Sequence, residues 1–328
     1  MKPLTEIRQE LSALLVECEA FRLEKAAQHK KGVILTILAA LTGVVLLTIG
    51  LIGSWVCLGL GVFFLVAAII IFNIGASKHQ KAYKTHFKSN ILEQLIENMM
   101  PTVSYEANNQ IQKSVFNSSQ LFSTNYNIYN GEDYFIGTHK GISFEMSELD
   151  VKKQTTSTSY SNGQTRTRTS TTQIFKGLFI VISAKKSSYS ETYVLPDTAE
   201  KLFGNFGKFL QKNIGSVIQR GSMIYLENYP EFEKRYVVYS TEEIESQRLL
   251  SENLIQSLMD IYEHWKKTPS FAFIHNKVYI ALPHSKDLLK ISLHKSLINN
   301  QDEVLKQFMD EIALSMNIID ELSDVLNQ

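Results

Sequence analysis

From Gly32 to Ser77 the chain runs for 46 positions without a charged side chain. One helix needs about 20 apolar residues to cross a hydrocarbon core of about 30 Å, so this run has room for two spans. Gly50, Gly53 and Ser54 interrupt it near the middle. The break predicts one helix over about 32–50, a second over about 55–75, and a tight turn that sets Trp55 at the membrane interface. A cleaved signal peptide fits poorly, because its apolar core runs only about 7–15 residues. Gly43, Gly50, Gly59 and Gly61 would let the two helices approach closely. Asn73 is the one strongly polar side chain at depth, near a helix end. With no ionisable group inside the spans, the pattern does not indicate a pore or transporter.

Amphipathic patterns flank the run. In residues 1–31, Leu4, Ile7, Leu11, Leu14, Cys18 and Phe21 recur at spacings of three and four, a heptad seam. In residues 77–100, Phe87, Ile91, Leu95 and Met99 repeat every four residues up to Pro101. The economical expectation is that these helices pack on each other beyond the membrane; a homo-oligomer through the heptad seam is the alternative. Lys25, Lys30 and Lys31 precede the first span, Lys78, Lys81, Lys84 and Lys88 follow the second, and the connecting turn is uncharged. The positive-inside rule then puts both termini in the cytoplasm, with Lys30, Lys31, Lys78 and Lys81 against the headgroups of the lipid bilayer.

From residue 101 to 328 the periodicity changes to short runs rich in Val, Ile, Tyr and Phe, separated by Gly, Asn, Asp and Pro. The expected strands are DYFIGTHK, ISFEMSELDV, QIFKGLFIVISA, ETYVLP, SMIYLE, RYVVYS, FAFIHN, KVYIALP and LLKISL. Asp197 with Glu200 opens a helix over TAEKLFGNFGKFLQ. Ser240 with Glu243 opens another that breaks near Ser251 and resumes to Trp265, and Asn300 with Glu303 opens the last. Without a regular βαβ alternation, the pattern reads as α+β with a mixed, mainly antiparallel sheet.

Lys152–Gln173 is almost entirely Thr, Ser, Gln, Lys and Arg, with Asn162-Gly163 at its centre. A polar β-ribbon and a disordered insertion compete here, and the Asn-Gly turn signal favours the ribbon. Arg166 and Arg168 would share one ribbon face and could meet an acidic partner or lipid headgroups, against the plainer reading of a solvated edge. Tyr225, Tyr229 and Phe232, with Tyr236 and Tyr239, suit an interface or ligand groove, although a sheet core fits the same composition.

Charge and chemistry narrow the function. The 33 basic and 33 acidic side chains balance, so there is no global field for a polyanion and no nucleic-acid partner is expected. Beyond residue 100, 23 basic face 26 acidic residues, so the positive excess is juxtamembrane. Cys18 and Cys57 are the only cysteines, which excludes a disulfide framework and leaves Cys18 as a buried thiol or an acylation site. GNFGK lacks the spacing of a phosphate loop, and Ser183 with Lys186 matches S-x-x-K without the accompanying motifs. His139, His264, His275, His284 and His294 show no ligand spacing and read as surface or hairpin residues. Glu132 and Asp133 could hold a divalent cation, but neighbours on a strand face opposite ways, so they read as turn residues. No catalytic, cofactor or metal residues are assigned.

The blocks NGEDYFIG and SELDV, then IFKGLFIVI, YVLPDTAEKLFGNFGKFLQ, FEKRYVVYSTEEIESQRLLSENL and SFAFIHNKVYIAL, resemble the bacterial DUF3137 membrane proteins. The resemblance implies a membrane-anchored cytoplasmic domain at the bacterial inner membrane and brings no reaction or ligand with it. ESQRLL departs from the family's acidic-alanine-arginine pattern, so Arg248 takes no special role. Two expectations follow. One is a non-enzymatic binding or scaffolding module with a protein partner; the other is an enzyme of unrecognised type acting on a lipid or cytoplasmic small molecule. A protein delivered into another cell's membrane is a third.

Overall fold

The computed structural model describes residues 4–161, 164–184, 190–197, 220–284 and 288–326, which fall into two compact units. The first combines the chain up to Met99 with Lys290–Met309. Its helix α1 (Leu4–Gly53) is unbroken for 50 residues, so the amphipathic segment and the first apolar span form one continuous helix. No proline interrupts the ladder beyond Leu4, and the glycines are isolated. The stop comes at Gly53, whose φ of +143° suits glycine alone. Ser54 then caps α2 (Trp55–Phe72) by accepting the Cys57 N–H at 3.4 Å. A π-helical turn (Asn73–Ser77), α3 (Lys78–Phe87), a second π-helical turn (Lys88–Leu92) and α4 (Glu93–Met99) follow without a break.

In the hairpin α1 and α2 come close enough that only glycine fits at the contact. A Cβ on Gly61 would lie 2.8 Å from the Leu47 nitrogen, and one on Gly50 2.6 Å from the Leu58 nitrogen. Gly59, expected at the same contact, instead faces open space. The outer surface of the pair is apolar: Leu51 is 78%, Ile52 87% and Trp55 87% exposed. Both helices are long and apolar enough to cross a membrane.

Beyond the apolar stretch, Ile7, Leu11, Leu15 and Cys18 of α1 are buried, as are Tyr83, Phe87, Ile91, Leu95 and Met99. Leu15 replaces the expected Leu14, because a straight helix drifts away from a strict heptad. LLKISL is not a strand. Its Leu293 carbonyl accepts from Arg22 at 2.8 Å, and the Leu297 N–H just beyond it donates to Glu19 at 2.9 Å. Side chains of α1 thus satisfy backbone groups that a sheet partner would otherwise have taken.

The second unit comprises Met100–Leu289 and the chain from Asp310. In order it contains β1 (Val103–Glu106), α5 (Lys113–Ser118), β2 (Ile128–His139), β3 (Ile142–Ser161), β4 (Gln164–Ser183), β5 (Thr192–Pro196) and β6 (Ser222–Ile224). Then come α6 (Pro230–Glu233), β7 (Tyr236–Ser240), α7 (Glu243–Leu249), α8 (Glu252–Trp265), β8 (Ser270–Ile274) and β9 (Lys277–Pro283). The last helix, α9 (Gln301–Leu326), gives its first residues to the first unit and the rest to the second. The nine strands form one sheet, ordered β1-β2-β3-β4-β9-β8-β5-β7-β6, with every described pairing antiparallel. The fold is α+β, as the pattern implied. Strand β1 and helix α5, which the sequence pattern did not single out, complete it.

Leu149, Val151, Phe179, Val181, Tyr193 and Tyr279 make a core on one sheet face, with Phe116 of α5 against Phe179 at 5.0 Å. The alternate positions Met146, Leu178, Ile180 and Leu282 are buried as well. Central strands covered on both faces explain why GLFIVIS reads as a continuous apolar run. Past this core β3 and β4 continue as a two-stranded ribbon, paired from Lys152↔Gln173 to Ser161↔Gln164. Ser251 caps α8 through the Leu254 N–H, at the break expected there. The helix expected over 198–211, with GNFGK inside it, and the Asn162-Gly163 turn lie outside the described residues.

Candidate functional site

The two acidic residues read as a turn sit inside β2. Between the pairs Glu132↔Glu148 and Phe135↔Met146, β2 advances three residues while β3 advances two, a β-bulge. Asp133 absorbs the irregularity with φ +58° and is buried. The bulge cancels strand alternation, and carboxylate oxygens of Glu132, Asp133 and Glu148 lie within 4.8 Å of one another. Asp133 accepts from the Tyr105 hydroxyl at 2.5 Å, and its N–H donates to the Ala107 carbonyl at 3.1 Å. Glu148 accepts the Leu288 N–H at 3.3 Å. These donors offset part of the repulsion among the carboxylates.

Three carboxylate oxygens are a hard donor set, the type that takes Mg²⁺ or Ca²⁺. Asp133 and Glu148 open onto a cavity of about 20 Å³ whose walls include Phe135, Met146, Leu178 and Ile312. That is room for about one water molecule or one ion. A lipid or metabolite does not fit this cavity, and among the described residues no substrate cleft opens beside the cluster.

The lysines at the two ends of the uncharged run lie in the first unit. Lys30, Lys31, Lys78 and Lys81 are exposed, while Lys25 and Lys84 are half-buried. Lys25 pairs with Glu24 at 2.7 Å and lies 4.7 Å over the Phe21 ring. Phe21 stacks in turn on His86 at 4.2 Å. Cys18 is buried, and burial, then the nearby Glu19 and Glu17, push its thiol up to about 12.

On the ribbon, Arg166 and Arg168 face Ser159 and Ser157 across the strands, exposed and on one face. The other face carries a threonine ladder, with Thr156 to Thr169 at 3.3 Å and Thr158 to Thr167 at 3.4 Å. The aromatic group divides. Phe232 is buried and stacks on Tyr236 at 4.9 Å, Tyr229 is half-buried at the start of α6, and Tyr225 is 70% exposed. His139 closes the β2–β3 hairpin against Asp320 at 2.8 Å, and His275 turns the β8–β9 hairpin with φ +54°.

Sequence reasoning missed Glu148, Tyr105, Glu19 and Arg22. A bulge leaves no pattern, so nothing linked Glu148 to Asp133. Glu19 and Arg22 did leave a signal: they prolong the stripe of Leu11, Leu15 and Cys18 at helical spacing, charged residues where the pattern calls for apolar ones.

No curated protein sequence matches this one. A solved structure, the mycobacterial trehalose monomycolate transport factor A, TtfA, aligns over 68% of this chain and 92% of its own at 8% identity. Its TM-score of 0.29 is too low to carry an assignment of fold or function. Residues 173–323, from the base of the ribbon into α9, match the family described as Protein of unknown function (DUF3137).

Proposed function

We propose that this chain is a membrane-anchored binding module. The hairpin of α1 and α2 spans a lipid bilayer, both termini are cytoplasmic, and the sheet domain engages a protein partner there. The observation that carries this reading is the outward apolar surface of the hairpin. Each large apolar side chain left in water forgoes about 1.5–3 kcal/mol. A surface lined with them from Ile34 to Ile74 exceeds the apolar patch of about a few hundred Å² that soluble monomers expose to water. Lipid removes that penalty. Lysines at both ends of the uncharged run and none in its turn support the orientation. Self-association through the heptad seam would require opening it, since Ile7, Leu11 and Cys18 are buried within the chain.

Binding is favoured over catalysis because the described carboxylate cluster opens onto space for one ion or water only. Washing membranes from the producing cell with alkaline carbonate and then urea tests the anchor. The chain is expected to stay in the pellet; release into the supernatant would contradict the reading. Proximity labelling from Gln328 tests the partner, and labelling no protein above background would argue against it.

A further inference from the structure

Just past the second apolar span, Lys78, Lys81, Thr85, His86, Ser89 and Asn90 line an open groove of about 550 Å³. Steps of three and four residues put them on one face of α3 and the π-helical turn after it. The two lysines are exposed, and the hydroxyl, imidazole and amide side chains are half-buried. Asn90 donates to the His86 carbonyl at 2.7 Å, which fixes the far end of the groove. None of the lining residues is acidic, and the sequence holds no Asp or Glu from Lys25 to Leu92. The groove is therefore a concentration of donors and positive charge.

Its position says what kind of anion fits. Lys78 is the first residue after the uncharged run, and Lys81 lies about 5 Å further along the helix axis. That is the depth of a headgroup layer, about 5–7 Å thick on each side of the hydrocarbon. Thr85 and Ser89 lie one and two turns beyond. π-helical turns bound α3 at both ends, Asn73–Ser77 and Lys88–Leu92. Such turns recur at functional sites because they shift one helix face against the next.

We propose that this groove binds the headgroup of an anionic glycerophospholipid. Lys78 and Lys81 hold the phosphate, and the hydroxyl groups of a glycerol-type headgroup reach Thr85, one turn beyond. The proposal rests on the membrane reading of the hairpin and adds a lipid specificity to it.

The test is to reconstitute the full chain in phosphatidylcholine nanodiscs with a trace of spin-labelled phosphatidylglycerol or spin-labelled phosphatidylcholine. The fraction of label immobilised on the protein is read by electron paramagnetic resonance. Phosphatidylglycerol is expected to be held about 10- to 30-fold more strongly than phosphatidylcholine. Lys78→Gln with Lys81→Gln should abolish the preference, while Lys113→Gln leaves it unchanged. Millimolar inorganic phosphate should not displace the lipid. An equal signal from both lipids, or a double variant that behaves like wild type, overturns the proposal. Displacement by phosphate overturns it too and makes the occupant a soluble anion. A chain that stays soluble without detergent and does not enter nanodiscs defeats the membrane reading itself, which separates the two failures.

Discussion

Glu19 accepts two hydrogen bonds from the Arg22 guanidinium, 2.8 Å from Nε and 2.9 Å from Nη2, with both side chains buried. The same carboxylate accepts the Leu297 N–H and the Ser296 hydroxyl, both at 2.9 Å, and Arg22 donates to the Leu293 carbonyl. One ion pair on α1 thereby fixes a segment nearly the whole chain length away.

Removing one member should cost more than removing both. Arg22→Met leaves the Glu19 carboxylate buried without its cation, and we expect a loss of about 3–5 kcal/mol. Glu19→Met combined with Arg22→Met should recover part of it. Thermal melts of the detergent-purified protein decide; equal melting temperatures for wild type and Arg22→Met would show the pair to be inert.

The pair also sets a pH dependence. Burial pushes the Glu19 carboxyl up, but hydrogen bonds from Arg22, the Leu297 N–H and Ser296 outweigh it and hold the group below its ordinary value of 4.5. A depressed folded value means the stabilisation is present above 4.5 and is lost as pH falls further. Stability of the wild type should therefore drop below about pH 4.5 more steeply than that of Glu19→Gln. Parallel curves for the two proteins through this range would contradict the assignment.

Within the hairpin the glycines are not equivalent. Gly61→Leu and Gly50→Leu force side chains into backbone, whereas Gly59→Leu points into open space. The first two should destabilise by about 1–3 kcal/mol and the third by much less. Melting temperatures in one detergent give the ranking, and a Gly59 variant as damaged as the other two would refute this helix contact.

Cys18 should be chemically silent. A buried thiol with its pKa pushed to about 12 presents almost no thiolate at pH 8. In a Cys57→Ser background, maleimide should label the protein only after denaturation. Prompt labelling of the native protein would place Cys18 at an accessible surface.

At the bulge, Tyr105→Phe removes the hydroxyl that donates to Asp133 and should cost about 1–3 kcal/mol, because a buried acceptor is left short of a partner. Asp133→Ala should cost more, since it also puts alanine at φ +58°. Urea unfolding measures both, and wild-type midpoints for the pair would remove the bulge as a stabilising feature.

The sequence showed most of the architecture because much of it is written in local periodicity. The uncharged run, the glycine and serine break, the Ser251 helix break and the alternation of the β-strands all signal themselves within a few residues. What stayed hidden is set by distant partners. LLKISL has strand composition, yet its Leu288 N–H donates to Glu148 and its Leu293 carbonyl accepts from Arg22, in place of a neighbouring strand. Asp133 meets Glu148 only because β2 carries one residue too many. Arg166 and Arg168 lie two apart on β4 and so share a face, but no pattern in the sequence forecasts the threonine ladder behind them.

Topology is the most direct measurement. Paired cytoplasmic and extracytoplasmic reporters, fused after Gln328 and inserted at Ser54 in separate proteins, are read in whole cells. The cytoplasmic reporter should be active at Gln328 and the extracytoplasmic one at Ser54. An extracytoplasmic C-terminus, or both sites reporting the same side, would contradict a two-span hairpin with the sheet domain in the cytoplasm.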